Sequence, residues 1–449
     1  MKFLENLMFK KISLWMFLLS FIAFILISLI LIWSMYYIYN APYPHGIKTR
    51  FGNKVNTVAK LTDDGLRLID SFTTTIEPRK IEFKKFQGIN YYDKNFEDKG
   101  FILYSSIDKD INPITVLFDI EKREKVFIWK WPIQDIFDNS TIGKKITKCC
   151  FRAQHPIIMK NGDLISNSSQ GPLVRINKNS ELVWLVDRQT HHSISLDHKG
   201  NVVVPVVSQS PPDKNINPTR EDGYIVVDPN TGEVIFEENL RDILEINSYF
   251  GLLYGIGIPE QDLIHLNDVE IILKNDAFVK KGDLVFSLRN LSTVFLYRPS
   301  SKKIIWLKNG PWLKQHDVDY IGDGNFTIFD NGVIDDAYFS EIKENQPAHR
   351  YIKNNNSIMN YNMKNDTITK IFLLTEKNSI FTPTQGLHRI LRNKDVFVEE
   401  SDMAILHRVS KDQKLVWSYV HNISKEFIGS QHWSRYYYED ELDLDFIKE

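Results

Sequence analysis

Four short segments in the middle of the chain carry side chains suited to a tetrahedral anion. They are Thr190-His191-His192-Ser193, His265-Leu266-Asn267-Asp268, Ser287-Leu288-Arg289-Asn290 and Gln315-His316-Asp317. An arginine offers a planar fork matched to oxyanions, and its charge does not titrate away. A neutral imidazole is a base or nucleophile near pH 7, and a protonated one donates to anionic oxygen. Asn267 lies two residues after His265, so an extended backbone projects both to one side and adds an amide donor. His316, His265, Arg289 and His192 are the candidate catalytic residues. Asn267, His191 and His388 are candidate substrate contacts, His388 because TQGLHRILRNKD places it at a comparable point of a later repeat. The set suits binding of, and attack on, a sulfuryl or phosphoryl group.

These segments flank short β-rich runs that recur along the chain. Each copy has a turn rich in Gly, Asn and Asp, an apolar strand, a second strand, and a third that often closes on tryptophan. The closing tryptophans are Trp129, Trp184, Trp306 and Trp417. The spacing of about 45–70 residues falls in the range of propeller blades once insertions are allowed. Six copies predict an all-β fold, a six-bladed β-propeller over residues 99–440. The tryptophans read as packing between blades. Helical sequence is scarce; Arg241–Tyr254 is the best candidate and would sit in an insertion. Loops at one end of the innermost strands would deliver His192, His265, Arg289 and His316 to one funnel.

Ahead of the repeats, residues 12–41 contain no charged side chain. At 1.5 Å per residue, Leu14 to Tyr36 would span roughly 34 Å as a helix, enough for a bilayer. Lys10 and Lys11 abut its near end, which predicts residues 1–11 in the cytoplasm and the propeller in the periplasm or outside the cell. The apolar run is long for a cleaved signal peptide and is read as a single transmembrane anchor. Residues 42–98 then form a stalk with some early strands. The chain has 449 residues and a net charge of -2, which gives no electrostatic footprint for nucleic acid. Its two cysteines, Cys149 and Cys150, are adjacent. A vicinal disulfide, two thiols and an intermolecular bond all remain open.

The segment HLNDVE…GDLVFSLRNLSTVFLY…W…KQHDVDYIGDGNFTIFDNG resembles the arylsulfate sulfotransferase family, bacterial envelope enzymes built as six-bladed propellers. The family moves a sulfuryl group from a phenolic sulfate ester to a phenol without a nucleotide donor. Its HxN segment is matched by His265-Leu266-Asn267 and its S-x-R segment by Ser287-Leu288-Arg289. Its transiently sulfated histidine lies in a QH segment, matched by Gln315-His316, and an earlier histidine maps to His191-His192. The resemblance implies that His316 attacks sulfur and that Arg289, His265 and His192 hold the sulfuryl oxygens. It implies an aryl sulfate donor, a phenol acceptor, and no cofactor or metal, although a structural ion in the channel is compatible with it.

The remaining histidines, His155, His198, His349, His407 and His421, read as structural, and His432 as part of a closing strand. Glu399, Glu400 and Asp330 follow strand ends and read as solvated loop acids, and Tyr436–Tyr438 as packing. The rival to a transferase is a non-catalytic propeller that binds an anion or a protein partner through the same funnel. A hydrolase in which water replaces the phenol is a third reading, and a quinone-dependent dehydrogenase, lacking its usual acidic ligands, the weakest.

Overall fold

The computed structural model describes residues 14–39, 79–80, 88–143, 151–208, 221–255, 262–335, 349–351, 356–373, 380, 382, 384–424, 427–429 and 431–448. Cys149, Cys150, residues 1–11 and most of the stretch assigned to the stalk lie outside them. The chain divides into two compact units, residues 1–77 and 78–449.

In the first unit the described element is a helix, Leu14–Tyr39. Among the described residues no helix is long and apolar enough to cross a membrane. The expectation of a transmembrane anchor over residues 12–41 is corrected accordingly.

The second unit is an all-β propeller. Its sheets pair antiparallel strands whose first members gather round one axis. We label these innermost strands β1 (Ala153–Ile158), β2 (Ser195–Leu196), β3 (Leu266–Ile271), β4 (Asp317–Gly322), β5 (Leu387–Ile390) and β6 (His432–Tyr437). The sheets correct the expected count of six separate blades. Among the described residues, four sheets of four or five strands stand alone, and a further sheet has eight strands. The fusion has a local cause: the strand Leu182–Thr190 is nine residues long, and its last residue pairs with Val206 of the next repeat. That pairing makes residues 153–239 one double-width sheet.

Closure comes from the C-terminus. Strand β6 pairs with Phe101–Ile107, with Tyr437 opposite Phe101, so the last strand completes the first sheet. The repeated tryptophans join neighbouring units, as their spacing predicts. Trp129 Nε1 donates to the Gly162 carbonyl at 2.9 Å and Trp184 Nε1 to the Pro229 carbonyl at 3.0 Å. Trp306 reaches the Tyr361 hydroxyl at 3.2 Å, and Trp417 reaches Asp98 Oδ2 at 2.8 Å across the closure. Asp98, buried, also accepts from Arg408 and Tyr436.

Carboxylates do the same work near the axis. Asp268 accepts from the Val318 amide at 3.0 Å, Glu270 from Tyr320 at 2.5 Å, and Asp317 from His388 at 2.6 Å. Each bond spans two adjacent innermost strands and satisfies a backbone donor that no ladder partner reaches. Glu399, read from sequence as a solvated acid, is fully buried and accepts from Ser401, Trp433 and Ser434. Asp330 is buried too, accepting from the Leu313 and Gly332 amides. The predicted helical insertion is two short helices, Leu240–Ile246 and Phe250–Tyr254, with Leu240, Ile243, Leu244 and Leu253 packed on the core beside Phe286.

Candidate active site

A backbone feature that recurs at the innermost strands brings the histidines together. His155, His192, His265, Lys314, Gln385 and Trp433 all have φ between 48° and 60°. Each lies within the first three residues of, or within three residues before, β1 to β6. The left-handed region costs non-glycine residues of order 1–3 kcal/mol, and here that strain is held by the surrounding ladders. The side chains then meet: the His192 ring centroid is 5.1 Å from His265, 6.3 Å from His316 and 5.5 Å from Trp433. His265 and His316 are 6.4 Å apart.

His316 is the deepest of the three, with 2% of its surface exposed. Asn331 donates from Nδ2 to the Thr382 and Gln385 carbonyls at 2.9 and 2.8 Å. Its Oδ1 therefore faces His316 Nδ1, 2.9 Å away, and can only accept. The network assigns the proton to Nδ1 and leaves the lone pair on Nε2, which accepts from the Gln385 amide at 3.2 Å. Burial, then the Arg289 guanidinium, hold the His316 pKa well below the ordinary imidazole value. The ring is neutral at neutral pH, the state a nucleophile needs.

The other two histidines are backed in the same manner. His265 Nδ1 lies 2.6 Å from Asp262 Oδ2, and His192 Nδ1 lies 2.9 Å from His191 Nδ1. His191 is buried and faces Asp222 at 3.4 Å. Arg289 is mostly buried; its amide donates to the His265 carbonyl at 3.0 Å and its Nη1 to Asn290 Oδ1 at 2.8 Å. Lys314 Nζ shares that oxygen at 3.3 Å, which adds a second cation to the site's edge.

The structure thus brings His192, His265 and His316 together, with Arg289 close enough to bias His316. It places Asn267 behind them: fully buried, its Nδ2 donates to the Gln315 carbonyl at 2.6 Å. His191 lies behind His192, and His388 belongs to a different cluster, beside Asp317 and Asp319. Sequence reasoning missed Asp262, Asn331, Gln385, Lys314 and Trp433. Asp262, three residues before His265, carried a signal; the others reach the site only through tertiary contacts.

One ring nitrogen from each of His192, His265 and His316 lies within 4.8 Å of the others, close enough to hold a metal ion. Arg289 beside His316 works against a bound cation and in favour of an anion. Residues 155–422 match the family model described as arylsulfotransferase (ASST). The chain belongs to this arylsulfotransferase family. No curated protein matches it significantly. A protein of unknown function from Bacteroides caccae is similar in fold, at 12% identity and TM-score 0.46, covering 75% of this chain and 98% of that one. Hydrazine synthase from Kuenenia stuttgartiensis (8% identity, TM-score 0.41, 76% and 90% covered) and a streptogramin B lyase (10%, 0.40, 77% and 97%) are similar at the same distant level. At these scores they carry no argument about chemistry.

The loop that carries Gln385 to His316 depends on Gly386. Its φ is +99°, and a β-carbon there would come within 2.5 Å of the Phe329 ring. Gly386→Ala is expected to destabilise the fold by about 1–3 kcal/mol, the usual range for overpacking. A urea titration reads this directly; an unchanged midpoint would show that Phe329 yields without cost.

Proposed function

We propose that this member of the arylsulfotransferase family transfers a sulfuryl group from an aryl sulfate to a phenol through a sulfohistidine on His316. The observation that carries the reading is a buried, neutral imidazole beside an arginine and two further histidines. In the first step His316 Nε2 forms a bond to sulfur while the S–O bond to the aryl group breaks and the phenolate leaves. In the second, the oxygen of an acceptor phenol bonds to the same sulfur, the N–S bond breaks, and the phenol proton passes to a base. Arg289, His265 and His192 supply donors to the sulfuryl oxygens, where charge accumulates. The Gln385 amide, which donates to Nε2 before reaction, must release that nitrogen and is then beside the transferring group. A location outside the cytoplasm is part of the proposal and rests on the family resemblance; fractionation of expressing cells tests it.

Mass spectrometry of the full chain mixed with aryl sulfate and no acceptor is the test. The expected result is one added SO3 on His316, labile to acid and discharged by phenol. Turnover without any adduct would overturn the sulfohistidine. The spacing of the three histidines favours a second reading, in which they ligate a metal that activates water. Metal analysis, and hydrolysis that is insensitive to added phenol, would favour it instead.

A further inference from the structure

A second cluster of ligating side chains lies further along the channel and takes no part in the proposed transfer. It lines a cavity of about 560 Å³ shared by all six innermost strands, β1 to β6. Asp317, Asp319 and His388 each bring one ligating atom within 4.8 Å of the others. The His388 side chain is wholly buried, and among the described residues neither ring nitrogen has a hydrogen-bond partner. Nδ1 is 2.6 Å from Asp317 Oδ2 without the direction of a hydrogen bond, and Nε2 is 3.7 Å from Asp319 Oδ2, too far for one.

An unsatisfied buried imidazole between two carboxylates is costly unless something joins them. The charges of Arg435 and Arg389 act on Asp317 and Asp319, but among the described residues neither arginine hydrogen-bonds to the cluster. Arg435 directs Nε to the Pro156 carbonyl and Nη2 to the carbonyls of His155 and Ile194. Arg389 donates to the Tyr436 carbonyl and to Glu441. Asp268 and Glu270 line the same cavity and add carboxyl groups beside the cluster. We propose that Asp317, Asp319 and His388 bind one divalent first-row metal ion in the central channel. Two carboxylate oxygens and one imidazole nitrogen suit Mn²⁺, Fe²⁺ or Zn²⁺; Ca²⁺ and Mg²⁺ prefer oxygen alone. The ion ties β4 to β5 at Asp317, the residue after His316, and so braces the strand that carries the nucleophile.

The experiment uses the full chain stripped with chelator and titrated with Mn²⁺, with bound metal counted and its EPR spectrum recorded. One Mn²⁺ per chain is expected, with nitrogen coupling from an imidazole and Zn²⁺ competing for the site. Altering a group next to a metal ligand typically weakens affinity about 10- to 100-fold, so removing a ligand should cost at least ~10-fold. Asp319→Asn, at a part-exposed position, and His388→Gln should each show that loss, the latter with the nitrogen coupling gone. His265→Ala should bind as tightly as the parent, which separates this site from the three histidines. Circular dichroism confirms that each variant is folded. Stoichiometric binding untouched by Asp319→Asn and His388→Gln, binding lost in His265→Ala, or no binding by the folded parent would each overturn the proposal.

Discussion

His316→Ala is expected to abolish sulfuryl transfer, lowering turnover by about 10⁴- to 10⁶-fold, the range for loss of a covalent nucleophile. The reason is positional. Nε2 is the lone-pair nitrogen because Asn331 holds the Nδ1 proton and is itself oriented by two carbonyls. Neither His192 nor His265 has that support: one is backed by a second imidazole, the other by the Asp262 carboxylate. Neither is positioned to replace the missing ring. Aryl sulfate binding should change less than tenfold, because Arg289, His192 and His265 remain and ground-state contacts set affinity. Steady-state kinetics with a chromogenic aryl sulfate, together with equilibrium binding, check both halves. A variant that keeps more than a tenth of the parent rate would remove His316 from the nucleophile's role. Weakened binding at an unchanged rate would make it an anchor for the donor instead.

What could be read in advance divides along a physical line. The strands, their all-β class and the tryptophan staples were legible because each repeats a local pattern: Trp129 and Trp417 close strands and bond across to the neighbouring unit. The convergence of His192, His265 and His316 was legible for the same reason, since each sits at the head of an innermost strand. The fusion of two repeats was not, because it depends on a single pairing, Thr190 with Val206. The membrane anchor was inferred from a run of apolar residues, and no described helix meets the length and apolarity needed. Left-handed backbone at Lys314 and Trp433 has no compositional mark, as these are not turn-forming types. Gln385 reaches His316 across 69 residues. Asp268 and Asp317 passed unnoticed as staples because an acid in a strand resembles any solvent-facing acid until the neighbouring strand's amide is seen against it.

Arg289→Gln separates the two things a guanidinium does here. It donates to oxyanions through a fixed fork, and its charge depresses the pKa of His316 after burial has done so first. Loss of one preorganised donor should lower kcat about 100- to 1000-fold. Loss of the charge should also let the His316 pKa rise toward the ordinary imidazole value near 6.5. The sign follows: a raised pKa protonates Nε2 at higher pH, so the acid limb of the kcat/KM profile moves up in Arg289→Gln. Arg289→Lys keeps the charge and gives up the fork. It should therefore leave the acid limb in place while still losing rate, by less than the glutamine variant does. If both variants shift the limb equally, the guanidinium does not act on His316 through its charge. If neither loses rate, the arginine does not meet the transferring group, and the case for an anion at this site rests on the histidines alone.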